Sequence, residues 1–302
     1  MSDTILNAMI VGLGNIGLLY DLNRTDITWS HTAALLKDTR YNLVAGVDVN
    51  MDNQATFQSL TKKPTFSCIS DAIESINETI EVVVIASPTR FHYPMYKEIK
   101  ETACKTGCKL ILLEKPISES TDEVDLMLAE SESGPKVWVN LFRLYQSQVN
   151  SYLELLSESD CCDISVIYSK GIVHNGIHFL SLLMKHYEGD ITIHKTGNES
   201  IINIGSGNVA VRFTESINKL DNNSMIIHSN IGSLYYLNGG RHSFFIDTNH
   251  CKINFSEYEF KHYQSCVYNK IYNYIEGKYE SDDSLNLAAK SQFYLKLLEG
   301  DL

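Results

Sequence analysis

Residues 9–17 read Met-Ile-Val-Gly-Leu-Gly-Asn-Ile-Gly, an apolar run opening into Gly-x-Gly-x-x-Gly close to the start of the chain. Such a run predicts a buried strand followed by the turn that receives the pyrophosphate of a dinucleotide. Gly12 makes the tight turn off the strand, Gly14 lets backbone approach the phosphates, and Gly17 permits close helix-strand packing. The helix expected next would aim its N-terminal N–H groups and positive dipole end at the phosphates. Gly12, Gly14, Asn15, Ile16 and Gly17 are therefore candidate cofactor contacts.

A second apolar strand, 43–47, ends in Asp48, where a carboxylate would accept hydrogen bonds from the adenosine ribose. This acid favours NAD over NADP; the alternative is a solvated residue closing a strand. The acid usually lies about 20 residues past the fingerprint. Here it lies 31 residues after Gly17, which predicts an inserted loop over 20–29.

A chain of 302 residues exceeds what one hydrophobic core usually serves, so two domains are expected, 1–145 and 146–302. No apolar stretch approaches the roughly 18 residues of a membrane span, and no signal peptide is apparent, so the expected compartment is the cytoplasm. The seven cysteines (Cys68, Cys104, Cys108, Cys161, Cys162, Cys251 and Cys266) lack paired metal-binding spacing, so no metal is expected. A net charge of -12 opposes nucleic acid as a partner.

In the first half, β-branched runs at 8–11, 43–47, 81–86, 109–113 and 136–139 alternate with helical stretches at 52–59, 93–104 and 121–131. That rhythm predicts a parallel Rossmann sheet with crossover helices. After a helix over 176–186 come alternating segments at 191–194, 201–204, 209–213, 225–228, 233–237 and 243–246, then helices over 263–275 and 284–298. The expected class is α/β: a Rossmann domain, then an α+β domain with a mostly antiparallel open sheet.

Ligands of open α/β sheets sit beyond the carboxyl ends of the strands. Two segments belong there. One is Ser87-Pro88-Thr89-Arg90-Phe91-His92, from which Ser87, Pro88, Thr89 and His92 are expected to face the cofactor; the other is Glu114-Lys115-Pro116. Lys115 is the leading catalytic candidate, against the alternative of a surface ion-pairing lysine, and Glu114 is expected to orient it.

The fingerprint, His31-Thr32-Ala33-Ala34-Leu35, Val47-Asp48, Ser87 to His92 and Glu114-Lys115-Pro116 together resemble the glucose-fructose oxidoreductase / inositol dehydrogenase / rhizopine catabolism family, shortened to Gfo/Idh/MocA. The likeness covers most of 6–145; beyond it, Gly176-Ile177-His178 looks like the family's catalytic-helix motif. The resemblance implies NAD(P)-dependent hydride transfer at a hydroxyl-bearing carbon of a sugar, cyclitol or nucleotide sugar, with Lys115 and His178 meeting the substrate. It also leaves open a catalytically silent dinucleotide-binding regulator and, third, a reductase of an unsaturated substrate such as a linear tetrapyrrole.

One departure is His174, where the family usually has Asp four residues before the histidine. If the helix has begun by then, His174 and His178 share a face and could both serve proton transfer. A metal pair or two merely hydrogen-bonded histidines are the alternatives. Near the domain junction, Asn140, Arg143 and Tyr145 join His174 and His178 as candidate substrate contacts. Arg143 suits a phosphate or nucleotide-linked sugar, or else an interdomain ion pair. A free face on the second sheet predicts a homodimer or homotetramer.

Overall fold

A computed structural model describes residues 4–159, 162–196, 199–205, 209–216, 223–247, 257–279 and 282–300; Cys161 and Cys251 lie outside them. The chain forms two compact units, one running to Asn140 and resuming over His262–Asn286, the other comprising Leu141–Lys261 and Leu287–Leu302. The expected boundary at 145 thus lies five residues past the first crossing. The return of 262–286 to the first unit has no counterpart in the sequence reading.

The first unit holds six strands: β1 (Leu6–Val11), β2 (Tyr41–Val47), β3 (Thr65–Phe66), β4 (Val82–Ile85), β5 (Leu110–Leu113) and β6 (Lys136–Val139). They order β3-β2-β1-β4-β5-β6, and every pairing is parallel. All four residues of both β4 and β5 are buried, as expected where helices cover both sheet faces. The crossovers are α1 (His31–Lys37), α2 (Met51–Thr61), α3 (Ile69–Ser75), α4 (His92–Thr106) and α5 (Thr121–Glu130). The short β3 and α3 were not foreseen. Two residues of strand and seven of helix carry little periodicity to read.

The helix expected directly after the fingerprint is interrupted. Residues 15–18 form turns closed by Leu18 and Leu19 N–H groups on the Gly14 carbonyl, at 2.8 and 3.1 Å. The chain then leaves on an excursion, and α1 begins only at His31 with Ser30 as its cap. Yet the N–H groups of His31 and Thr32 donate to the carbonyls of Ile16 and Gly17, at 2.9 and 3.0 Å. The insertion has therefore split one helix and docked its second part on the first. Asp21 closes the excursion: its buried carboxylate accepts from the Trp29 and Ser30 amides and the Ser30 hydroxyl, at 2.8, 3.0 and 2.5 Å.

The second unit is built on seven strands among the described residues: β7 (Cys162–Tyr168), β8 (Ile191–Thr196), β9 (Glu199–Ile204), β10 (Val209–Glu215), β11 (Ser224–Ser229), β12 (Gly232–Leu237) and β13 (His242–Asp247). Their order is β13-β12-β11-β7-β10-β9-β8, antiparallel except for the β7–β10 pair. Central β7 was missed in sequence. One face is buried, shown by alternation of buried and open residues along β12 and all but the last residue of β7 and β10. The other carries Ile167, a Tyr235–Phe244 stack at 4.7 Å, and Arg212 paired with Asp163. Helices α6 (Ser147–Ser157), α7 (Ile177–His186) and α8 (Glu257–Lys261) belong here, while α9 (Tyr263–Ile275) belongs to the first unit. The last helix is α10 (Ser284–Glu299).

Candidate active site

The carboxyl edge of the parallel sheet carries the fingerprint turn. Gly12 has φ +97°, and a Cβ on it would meet the Ala86 carbonyl carbon and Ser87 nitrogen at 2.6 Å. A Cβ on Gly17 would lie 2.0 Å from the Gly12 carbonyl oxygen, so both positions exclude any side chain. Gly14 differs: nothing lies within 4 Å of where its Cβ would be, leaving the backbone open to a ligand. Asp48 ends β2 beside this turn, half-buried, its carboxylate accepting from the amides of Leu13 at 2.7 Å and Asn50 at 2.8 Å.

At the end of β4 the Ser87 hydroxyl is buried with no hydrogen-bond partner, an orphan that a ligand would satisfy. Pro88 leads into a short turn, Thr89–Phe91, that runs into α4. His92 behaves differently from its neighbours. It is 1 % exposed, with Nε2 2.9 Å from the Ser87 carbonyl and Nδ1 2.9 Å from that of Pro116. Both ring nitrogens face backbone carbonyls, to one of which the neutral ring can donate, so His92 lies between the β4 turn and the segment after β5. Burial pushes its imidazole below the ordinary value, against the pull of those carbonyls and of Glu114.

Strand β5 delivers Glu114 buried and Lys115 half-buried, ahead of a cis peptide to Pro116. The Glu114 carboxylate accepts from His31 Nε2 at 3.1 Å and Asn140 Nδ2 at 2.5 Å through the same oxygen. His31 Nδ1 meets the Tyr268 hydroxyl at 2.9 Å, and the Asn140 amide also donates to Gln264 Oε1 at 3.1 Å. Burial alone would raise the Glu114 carboxyl. The hydrogen bond from His31, with Lys115 and Asn140, outweighs it and holds the group below the usual carboxylate range. Asn140, expected to touch substrate, spends its amide nitrogen on Glu114 and Gln264, while its buried Oδ1 has no hydrogen-bond partner. Tyr268 and Gln264 could not be found in sequence, because they arrive on α9, more than 120 residues downstream.

In the second unit, α7 is entered through a π turn, Ile172–Gly176, a feature frequent at functional sites. The wider turn separates the two histidines: His174 is exposed and His178 is 3 % exposed. The structure therefore does not give them one shared face. His178 packs on the Phe142 ring, centroids 4.6 Å apart. Arg143 uses the same ring. Its guanidinium lies 4.5 Å from the centroids of Phe142 and Phe179 and 5.5 Å from that of Tyr236. It is 4 % exposed, Nε has no hydrogen-bond partner, and it forms no ion pair among the described residues. Its charge favours ionisation of the Tyr236 phenol, against the upward push of burial. Tyr145, on the same turn, is buried. Asn150 holds that turn, its amide donating to the carbonyls of Arg143, Leu144 and Gln146 at 3.1, 3.2 and 2.7 Å.

The parallel strand order, the closed glycine turn and the acid at the end of β2 agree with one comparison: residues 6–141 match the family model described as the oxidoreductase family, NAD-binding Rossmann fold, of Gfo/Idh/MocA proteins. This chain carries a Gfo/Idh/MocA NAD-binding domain. At the level of sequence alone the chain matches no curated protein. Its fold is similar to that of the WlbA dehydrogenase from Bordetella pertussis, solved with NADH and UDP-GlcNAcA, at TM-score 0.73 and 14 % identity, covering 100 % of this chain and 96 % of that one. A dehydrogenase from Chromobacterium violaceum aligns at TM-score 0.76 and 12 % identity, covering 98 % and 95 %. KijD10, a 3-ketoreductase from Actinomadura kijaniata solved with NADP and TDP-benzene, aligns at 0.73 and 11 %, covering 99 % and 98 %. Similarity in fold thus extends past the Gfo/Idh/MocA match into the second unit.

Among the described residues, no helix is long and apolar enough to cross a membrane, and no cluster of three or more His, Cys, Asp or Glu could hold a metal. Among the described cysteines Cys68, Cys104, Cys108, Cys162 and Cys266 no disulfide forms.

Proposed function

We propose that the chain is an NAD(H)-dependent oxidoreductase that interconverts a CH–OH group and a carbonyl on a sugar, cyclitol or nucleotide sugar. The observation that carries this reading is Lys115, set by β5 at the carboxyl edge of the Gfo/Idh/MocA sheet beside an ionised Glu114. The open Gly14 backbone, the orphan Ser87 hydroxyl and Asp48 fit a dinucleotide, and Asp48 in the ribose position favours NAD over NADP. Bound there, the nicotinamide supplies two-electron hydride chemistry.

The protein's own contribution is to the oxygen. In the oxidative direction the hydroxyl proton goes to a general base, for which we propose His178, imidazole being the commonest group in that role. Lys115 donates a hydrogen bond to the same oxygen and stabilises the negative charge that develops on it. Arg143 supports an anionic substrate, since a buried guanidinium without a carboxylate leaves its charge available to one. The WlbA and KijD10 complexes hold nucleotide sugars or analogues, in agreement with that substrate class. We place self-association on the open sheet face around Tyr235 and Phe244; sedimentation of the protein as a monomer at micromolar concentration would exclude it.

The test is calorimetric binding of NAD(H) and NADP(H) to wild type and Asp48→Ala, then a panel of sugars, sugar phosphates and nucleotide sugars read at the reduced-nicotinamide absorbance. Turnover on one member should fall about 100-fold or more in kcat for Lys115→Met, the scale of losing one oxyanion-stabilising donor. Near-normal turnover by Lys115→Met would remove the role given to it.

A further inference from the structure

We infer that His31 is a positioning residue for Lys115, acting through Glu114 as the inner end of a buried Tyr268–His31–Glu114 relay. The inference rests on the reading above only for what Lys115 does to substrate; the His31–Glu114 contact stands on geometry within the first unit, and Lys115 is the residue next to Glu114 in sequence.

A carboxylate only accepts hydrogen bonds, so the 3.1 Å contact to Glu114 requires His31 to carry its hydrogen on Nε2. In the neutral ring Nδ1 is the acceptor, and the Tyr268 phenol, 2.9 Å away, donates to it. That phenol stays protonated, because burial and the charges of Tyr41 and Glu114 push it well above its ordinary value. His31, Tyr268 and Gln264 are each 0 % exposed, and Asn140 is 2 % exposed, so bulk water does not replace a lost donor. The titratable groups around Glu114 are His31 on α1, His92 on α4, Tyr268 on α9 and Lys115 in sequence. Of these, only His31 touches the carboxylate from outside its own strand, joined there by the uncharged Asn140.

The consequence follows from burial. A buried carboxylate without its donors is easier to protonate, since desolvation disfavours its charge. Were Glu114 to take up a proton, Lys115 would lose the adjacent negative charge that favours its ammonium form. His31 thus favours the cationic form of Lys115 without approaching substrate.

The experiment measures the reactivity of Lys115 itself and needs no substrate. Wild type and variants, loaded with NAD, are acetylated by a trace of acetic anhydride between pH 7 and 11, and Lys115 is quantified by peptide mass spectrometry against exposed Lys105. His31→Phe should make Lys115 about tenfold more reactive at pH 8, one unit of pKa. Glu114→Gln, which removes the charge outright, should do the same, while His31→Gln, which keeps a donor, should stay close to wild type. Should His31→Phe fail to fold by circular dichroism, Glu114→Gln and His31→Gln carry the test. Unchanged Lys115 reactivity in every folded variant overturns the inference. Shifted reactivity alongside full turnover by Lys115→Met leaves the relay standing and removes only the role in catalysis.

Discussion

The molecule surrounds two candidate cations in opposite ways. In the first unit Lys115 follows a carboxylate that is itself held by His31 and Asn140, so charge is balanced before any ligand arrives. In the second, Arg143 lies against three rings with no ion pair among the described residues and an unsatisfied Nε. A cation that must polarise one atom gains from a fixed, compensated frame. A cation that must bind an anion gains from being left short of one, because a carboxylate already in place would compete. The price of the second arrangement is stability in the free protein.

The comparison can be broken in order of effect. The largest concerns the frame beneath the first site: Gly17→Ala puts a methyl 2.0 Å from the Gly12 oxygen, with backbone on both sides and no side chain able to yield. It should cost about 4 kcal/mol or more and abolish NAD binding, read by urea unfolding and calorimetry.

Next comes the contrast itself. Glu114→Gln removes one member of a buried charged network and should cost about 3 kcal/mol at neutral pH. Because the folded carboxyl titrates below its unfolded value of about 4.3, its contribution is fully present above that pH and is lost as pH falls through the lower folded value. The gap between wild type and Glu114→Gln should therefore close on acidification. Arg143→Met removes an uncompensated cation and keeps much of its packing, so it should stay within about 1 kcal/mol of wild type. It should, however, lose the rise in melting temperature that a sugar phosphate gives the wild type. If Arg143→Met proves as destabilising as Glu114→Gln, both cations are structurally compensated and the distinction fails.

Sequence alone determined much of the first unit. The buried runs that became β4 and β5, the glycine spacing, Asp48 and Glu114-Lys115-Pro116 all encode local requirements: a parallel strand covered on both faces, a turn that admits no side chain, a charged pair at a strand end. Likewise the exit of the excursion was legible, with Trp29 and Ser30 near the expected return at 29. What surrounds Lys115 was not. His31 could be quoted as part of a resemblance, but nothing local tells that it meets a carboxylate 83 residues away. Still less could Tyr268 and Gln264 be assigned to the first unit. The same limit separated His174 from His178, since a spacing of four predicts one face only if the turn is α, and here it is π. Periodicity reports the face an element buries. Which distant polar groups are buried together is fixed only when the chain closes, because each must find its partner away from water.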